Sequence, residues 1–413
     1  MDRRWLILVT AFLGWMFAGV QMSITALAMR SAAIDLLNSP AEALVGRWFS
    51  WYVCAFLLGA AVGGWAFGYL GDRFGRAKAM GLSILCLSVL SGIACFAQGP
   101  IELLLLRFLT CMGIGGMWPN GVAIVSEAWS DLSRPILAGI LGTAANVGIL
   151  LMAAVATVFE ITPQSWRWVM LVGALPIPLG IFVLVRVPES VRWLERRKGT
   201  CVATAQSKMT YKVFLPPLRR LTLLGIALGT VPLIGGWGSS NWMIPWAGEA
   251  GGAADPPDPH LKAWVQFARS LTGMIGSLLG GLIASQLGRR RTYFLMSIGA
   301  LFTSQYMFWL LTPVDGSFLI WASALGFFSG VYFGWLPLFL PEIFPTSVRS
   351  TGTGVSFNFG RILSAVTVLM AGWLIASFDG DYARIGRVTS LIYAAGMVVI
   401  CFAPDNSNQR LQD

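Results

Sequence analysis

Three arginines, Arg107, Arg269 and Arg361, stand deep inside apolar stretches of this chain, and no acid sits at comparable depth. A guanidinium in hydrocarbon costs on the order of 3 kcal/mol or more, so each must meet carbonyls, a watery cavity or an anion. The arginine fork matches a carboxylate bidentately, so the chemistry on offer is recognition of a small anion. The competing reading of each arginine is a helix-to-helix hydrogen bond. Arg269, nearer the end of its stretch, is read that way and left out of the candidate set. Polar and aromatic groups suited to a small solute accompany the other two. Gln21 lies in the first apolar stretch, and Trp118 shares a helix face with Arg107. Trp237 and Asn241 are one turn apart among Gly235, Gly236, Gly238 and Pro245, residues that let a helix bend or unwind beside a cavity. Tyr332 and Trp335 belong to an aromatic stripe with Trp321 and Phe328, and Asn358 shares a face with Arg361. Such stripes are more often packing, yet these two rings are placed to stack on a ligand. The candidate substrate-binding set is Gln21, Arg107, Trp118, Trp237, Asn241, Tyr332, Trp335, Asn358 and Arg361.

A second group of charges lies at the ends of apolar stretches. The string from Gly68 to Lys78 places Asp72 ahead of Arg73, Arg76 and Lys78, with Gly68, Gly71 and Gly75 among them. Glycines let two helices approach closely, and the bases mark a cytoplasmic joint. Glu127 is placed to pair with Arg73 or Arg76, and Glu342 with Arg289 or Arg290. Arg134 and Arg349 follow their glutamates by seven residues. Asp72, Arg73, Arg76, Glu127, Arg134, Glu342 and Arg349 form the candidate gating set, with static structural ion pairs as the competing reading.

The elements that must position these groups follow from composition. Of 413 residues, 56% are hydrophobic and 12% charged, about half the charge of a soluble domain, so this is an integral membrane chain. The net charge of +10 resides in short loops between apolar spans, which is positive-inside bias and not a nucleic-acid surface. Six cysteines without a Cys-x-x-Cys pair and one histidine, His260, exclude the common metal and redox motifs, and no cofactor is expected. No phosphate loop is present, and no nucleophile–base pair points to an enzyme.

Stretches of about 20 apolar residues predict twelve transmembrane helices near 5–28, 48–71, 78–98, 101–127, 135–158, 166–186, 219–247, 262–286, 292–311, 317–341, 350–376 and 386–403. The first is read as a span because it exceeds the length of a signal peptide. Basic loops on one side place both termini in the cytoplasm of a multi-pass plasma-membrane protein. The chain also repeats itself. Gly68, Asp72, Gly75 and Arg76 have counterparts 213 residues later in Gly281, Ser285, Gly288 and Arg289. The expected architecture is therefore all-α: a six-helix half over 1–186, a basic cytoplasmic linker over 187–218, a second six-helix half over 219–403 and a tail over 404–413.

Several strings resemble those of the major facilitator superfamily over nearly the whole chain. They are Gly68 to Lys78, Arg107 to Gly115, Pro188-Glu-Ser-Val-Arg192-Trp193-Leu194, Pro341 to Arg349, and Asn358-Phe-Gly360-Arg361. The last four resemble the sugar-porter, organic-ion and metabolite-transporter branch. That resemblance implies alternating access by rocking of two halves, with substrate held mid-membrane among the first, fourth, seventh and tenth helices. Two departures stand out. Ser285 replaces the acid of the second joint, and Gln21 and Ala18 stand where relatives carry a helix 1 acid that pairs with the helix 4 arginine. An amide does not titrate, so coupling to a proton through helix 1 is not expected. The reading is a transporter of a small polar metabolite, an organic acid anion ahead of a sugar or polyol, with a transporter-like solute sensor as a remote alternative. Its partners are the small-molecule substrate, a coupling proton if the transport is symport, and the lipid bilayer, and a monomer suffices to form the pathway.

Overall fold

In a bilayer every backbone N–H and C=O must be satisfied within the protein, which leaves helices or closed barrels, and apolar runs of about 20 residues select helices. The computed structural model describes residues 3–128, 134–189, 194, 212–216, 218–344, 349–377 and 380–404. The first half runs α1 (Arg3–Leu37), α2 (Glu42–Phe74), α3 (Arg76–Ala94), α4 (Pro100–Ala128), α5 (Arg134–Val158) and α6 (Arg167–Arg186). The second runs α7 (Arg219–Ala253), α8 (Leu261–Leu287), α9 (Arg289–Leu310), α10 (Phe318–Glu342), α11 (Arg349–Ser377) and α12 (Tyr382–Ile400). Eleven of these are long and apolar enough to cross a membrane. The remaining one, α9, is diluted by Ser297, Thr303, Ser304 and Gln305. Exposed side chains such as Leu105, Val185, Leu282, Ile320 and Trp373 clothe the outside in apolar surface, as lipid requires. Because twelve helices alternate in direction, α1 begins and α12 ends at one terminal end of the bundle; the other end is distal.

Two of these helices outrun the apolar windows. The spans expected at 5–28 and 48–71 leave a long loop, whereas α1 continues to Leu37 and α2 begins at Glu42. The reason is pairing: Arg30 on α1 forms a salt bridge with Glu42 on α2, and Asp35 takes Arg167 at 2.6 Å. Charges that look like the end of a span are tolerated in a helix once they are matched.

Packing repeats between the halves. Gly59 and Gly63 of α2 lie against the Phe108 and Met112 carbonyls of α4, and Gly276 and Gly280 of α8 lie against those of Phe327 and Val331 on α10. A β-carbon at any of the four would overlap those oxygens. The joints repeat too: Gly75 (φ 115°) separates α2 from α3, and Gly288 (φ 89°) separates α8 from α9. An L side chain is strained in that region, so both breaks depend on glycine. The halves meet along α2 with α11 and α5 with α8.

Candidate functional site

The mid-membrane groups fall into three separate environments. Arg107 and Gln21 form a closed network inside the first half. Arg107 donates to Gln21 Oε1 (2.9 Å), to the Gln21 carbonyl (3.2 Å) and to Thr25 Oγ1 (2.6 Å). Gln21 Nε2 in turn donates to the carbonyls of Leu87 on α3 and Gly173 on α6. Both side chains are fully buried. Here the amide is used in both directions, as acceptor for the guanidinium and donor to two other helices. Trp118, further along α4, packs on Trp15 of α1 with ring centres 5.0 Å apart.

The aromatic stripe of α10 faces α9. Trp321 stacks on Tyr306, Phe328 covers Gly299, Tyr332 shares a 2.7 Å hydrogen bond with Ser297, and Trp335 Nε1 donates to the Arg289 carbonyl at 2.9 Å. Tyr332 and Trp335 are therefore committed to a helix-to-helix interface around Tyr293. Spacing in sequence marks a stripe but not the neighbour it meets.

The third environment is the boundary between halves. Arg361 on α11 donates to the Ala60 carbonyl of α2 at 3.4 Å and lies over its own neighbour Phe357. Asn358, one turn away, sits beside Gly64 of the same helix α2. Trp237 packs on Phe56 of α2 at 4.4 Å. The glycine run expected to loosen α7 does so: Ile234–Ser239 forms a wide π-helical turn followed by a tight 3-10 turn at Ser240–Trp242. Asn241 lies at this irregularity, buried, with its amide nitrogen unpartnered among the described residues.

At the distal end the halves are bonded together by residues outside both candidate sets. Lys262 Nζ on α8 donates to Ser31 Oγ on α1 at 2.8 Å and to the Ile161 carbonyl at 2.5 Å. Tyr382 of α12 donates to Glu42 of α2 at 2.8 Å, on the carboxylate that Arg30 already holds. The His260 ring lies 3.3 Å from the Ala156 carbonyl and 3.8 Å from the Glu160 carboxylate. Lys262 is a lone base at the start of a span, which was its only signal in the sequence.

The terminal end holds the gating candidates. Arg289 grips Glu342 through two nitrogens, at 3.0 and 3.2 Å. Arg73 donates to Tyr69, and Glu127 has one carboxylate oxygen buried without a hydrogen-bond partner among the described residues. Ser285 turns back on its own helix, bonding the Gly281 carbonyl. The side chains of Asp72, Arg134 and Arg349 lie outside the described residues. Glu189, from the Pro-Glu-Ser string, has a local task that its position in the sequence does not reveal. Its carboxylate accepts from the backbone N–H groups of Arg76 (2.7 Å) and Ala77 (3.2 Å), capping the start of α3 across the Gly75 joint. An anion at a helix N-terminus satisfies orphan donors and meets the positive end of the dipole. Glu189→Ala is expected to cost about 1–2 kcal/mol, read as a lower Tm in detergent, with Glu189→Gln losing less.

A family model described as Major Facilitator Superfamily matches residues 5–251. The chain belongs to the major facilitator superfamily. A second model, Sugar (and other) transporter, matches residues 218–404. Among curated relatives, a putative metabolite transport protein of Haemophilus influenzae is 27% identical, covering 96% of this chain and 95% of its own. The cis,cis-muconate transport protein of Acinetobacter baylyi is 26% identical over 88% of this chain and 86% of its own. A solved D-xylose–proton symporter superposes with a TM-score of 0.73 at 17% identity, covering 97% and 98% of the two chains. This facilitator is thus a multi-pass membrane transporter of small metabolites, with twelve helices in two related halves.

Proposed function

We propose that this facilitator carries a small organic acid anion across the plasma membrane by alternating access, with its terminal end and both termini in the cytoplasm. One observation carries the choice of anion: Arg269 and Arg361 lie mid-membrane, and neither forms an ion pair among the described residues. A buried guanidinium without an acid is a standing cost that a carboxylate substrate relieves. The name of the muconate relative supports the same class. Trp118, Trp237, Asn241, Asn358 and Arg361 line the proposed pathway. Gln21 with Arg107, and Tyr332 with Trp335, hold helices in place around it. Asp72, Arg73, Arg76, Glu127, Arg134, Glu342 and Arg349 form the proposed cytoplasmic gate, and the Arg289–Glu342 pair ties α9 to α10 within it. A sugar or polyol is the second reading, favoured by the fold shared with the xylose symporter.

Uptake into proteoliposomes separates the two. Benzoate, adipate and cis,cis-muconate are expected to enter saturably, and xylose is not. Running each with and without a pH gradient shows whether a proton is coupled. Xylose uptake without uptake of any carboxylate would reject the organic-anion reading.

A further inference from the structure

Of the three deep arginines, Arg269 alone makes no hydrogen bond to another helix among the described residues. Arg107 bonds to Gln21 and Thr25 of α1, with only its Nε left over, and Arg361 bonds to the Ala60 carbonyl of α2 and lies over Phe357. Arg269 donates to Gln266 Oε1 of its own helix at 3.2 Å, and its Nε is buried without a partner among the described residues.

Its direction follows from the helix period. On α8 the exposed, lipid-facing row is Trp264, Leu271, Ile275, Leu278 and Leu282. Arg269 projects from the opposite face, with Lys262 and Gln266. Lys262 is about 10 Å nearer the distal end and is bonded to the other half. Arg269 therefore lies beneath the distal closure, on the face of α8 that turns away from lipid and whose glycines pack against α10. Tyr393 of α12 is near enough to Arg269 for their charges to interact, and its hydroxyl lies 3.4 Å from Ser240 on α7. The next residue, Asn241, is 1% exposed, and its amide nitrogen has no hydrogen-bond partner among the described residues.

We propose that Arg269 is the carboxylate ligand of the transport site, with Asn241 and Tyr393 as accompanying donors. The inference rests on the organic-anion reading above. A guanidinium, an amide nitrogen and a phenol offer donors with no acid among them, which suits two carboxylate oxygens. A polyol needs acceptors in equal measure.

The test uses the full chain in proteoliposomes, with benzoate and adipate as probes and benzamide as the uncharged competitor. Arg269→Gln is expected to raise the KM for both carboxylates at least about thirtyfold, the scale of losing a buried charged partner. Arg269→Lys should recover part of that loss, and weak inhibition by benzamide should be the same in wild type and variant. Carboxylate uptake by Arg269→Gln at the wild-type KM would overturn the assignment while leaving the anion reading intact. If Arg269→Gln does not fold, phenylglyoxal labelling of the wild-type protein decides: benzoate should protect Arg269, and equal labelling with and without benzoate overturns the proposal. Failure of the anion reading itself shows earlier, as wild-type protein that carries xylose and no carboxylate.

Discussion

A protein carrying both Tyr382→Phe and Lys262→Met should open at its distal end. These two side chains supply three hydrogen bonds from the second half to the first, to Glu42, Ser31 and the Ile161 carbonyl. Each involves a charged donor or acceptor, a type worth about 1.5–3 kcal/mol. Tyr382→Phe leaves the Arg30–Glu42 pair within the first half intact, so it removes the link between halves without stranding a charge. Lys262→Met deletes a buried ammonium together with its bonds, and methionine fills most of the volume. The distally closed state should lose at least about 3 kcal/mol relative to the open one, a shift of roughly a hundredfold in their ratio. Spin labels on the α1–α2 and α7–α8 connections would report it as a longer distance population. A distance distribution identical to wild type would show that these bonds do not hold the halves closed.

That lock was not legible in the sequence, and the reason is general. A hydropathy window ends a span at Arg30 and resumes it after Glu42, because it scores each charge as if it faced lipid. The helices run on because each charge meets its complement on another helix, a fact that depends on tertiary contact. Lys262 was invisible for the same cause: its partners are a hydroxyl and a carbonyl more than a hundred residues away. What could be read was whatever the chain repeats or spells locally. The joint glycines at 75 and 288, the loosened turn of α7 and the pairing of Arg289 with Glu342 belong to that class.

The deep arginines show where local spelling stops. Arg107, Arg269 and Arg361 give one signal in sequence, a base inside an apolar stretch, and have three fates in the fold. One bonds to an amide and a hydroxyl of another helix, one leans on a carbonyl across the boundary between halves, and one bonds only within its own helix among the described residues. Only the partner separates a structural arginine from a binding one. Tyr332 and Trp335 make the same point for aromatics, since a stripe on α10 has no address until α9 is seen to cover it.

The Gln21–Arg107 network allows the sharpest test of that distinction. Gln21→Leu removes the acceptor at 2.9 Å from Arg107 and leaves a fully buried guanidinium short of a partner. The expected cost is about 3–5 kcal/mol, the range for breaking one side of a buried charged contact. Adding Arg107→Met should restore stability toward wild type, because the charge that needed the amide is gone. The Leu87 and Gly173 carbonyls that lose the Gln21 donor lie within helices, so their loss is small beside that of a stranded cation. The double variant is thus expected to melt above the Gln21→Leu single variant, a coupling of opposite sign to simple addition. Thermal unfolding of the three variants in one detergent measures it. If the double variant melts lower than either single one, the pair stabilises by packing alone and the charge is not what Gln21 answers.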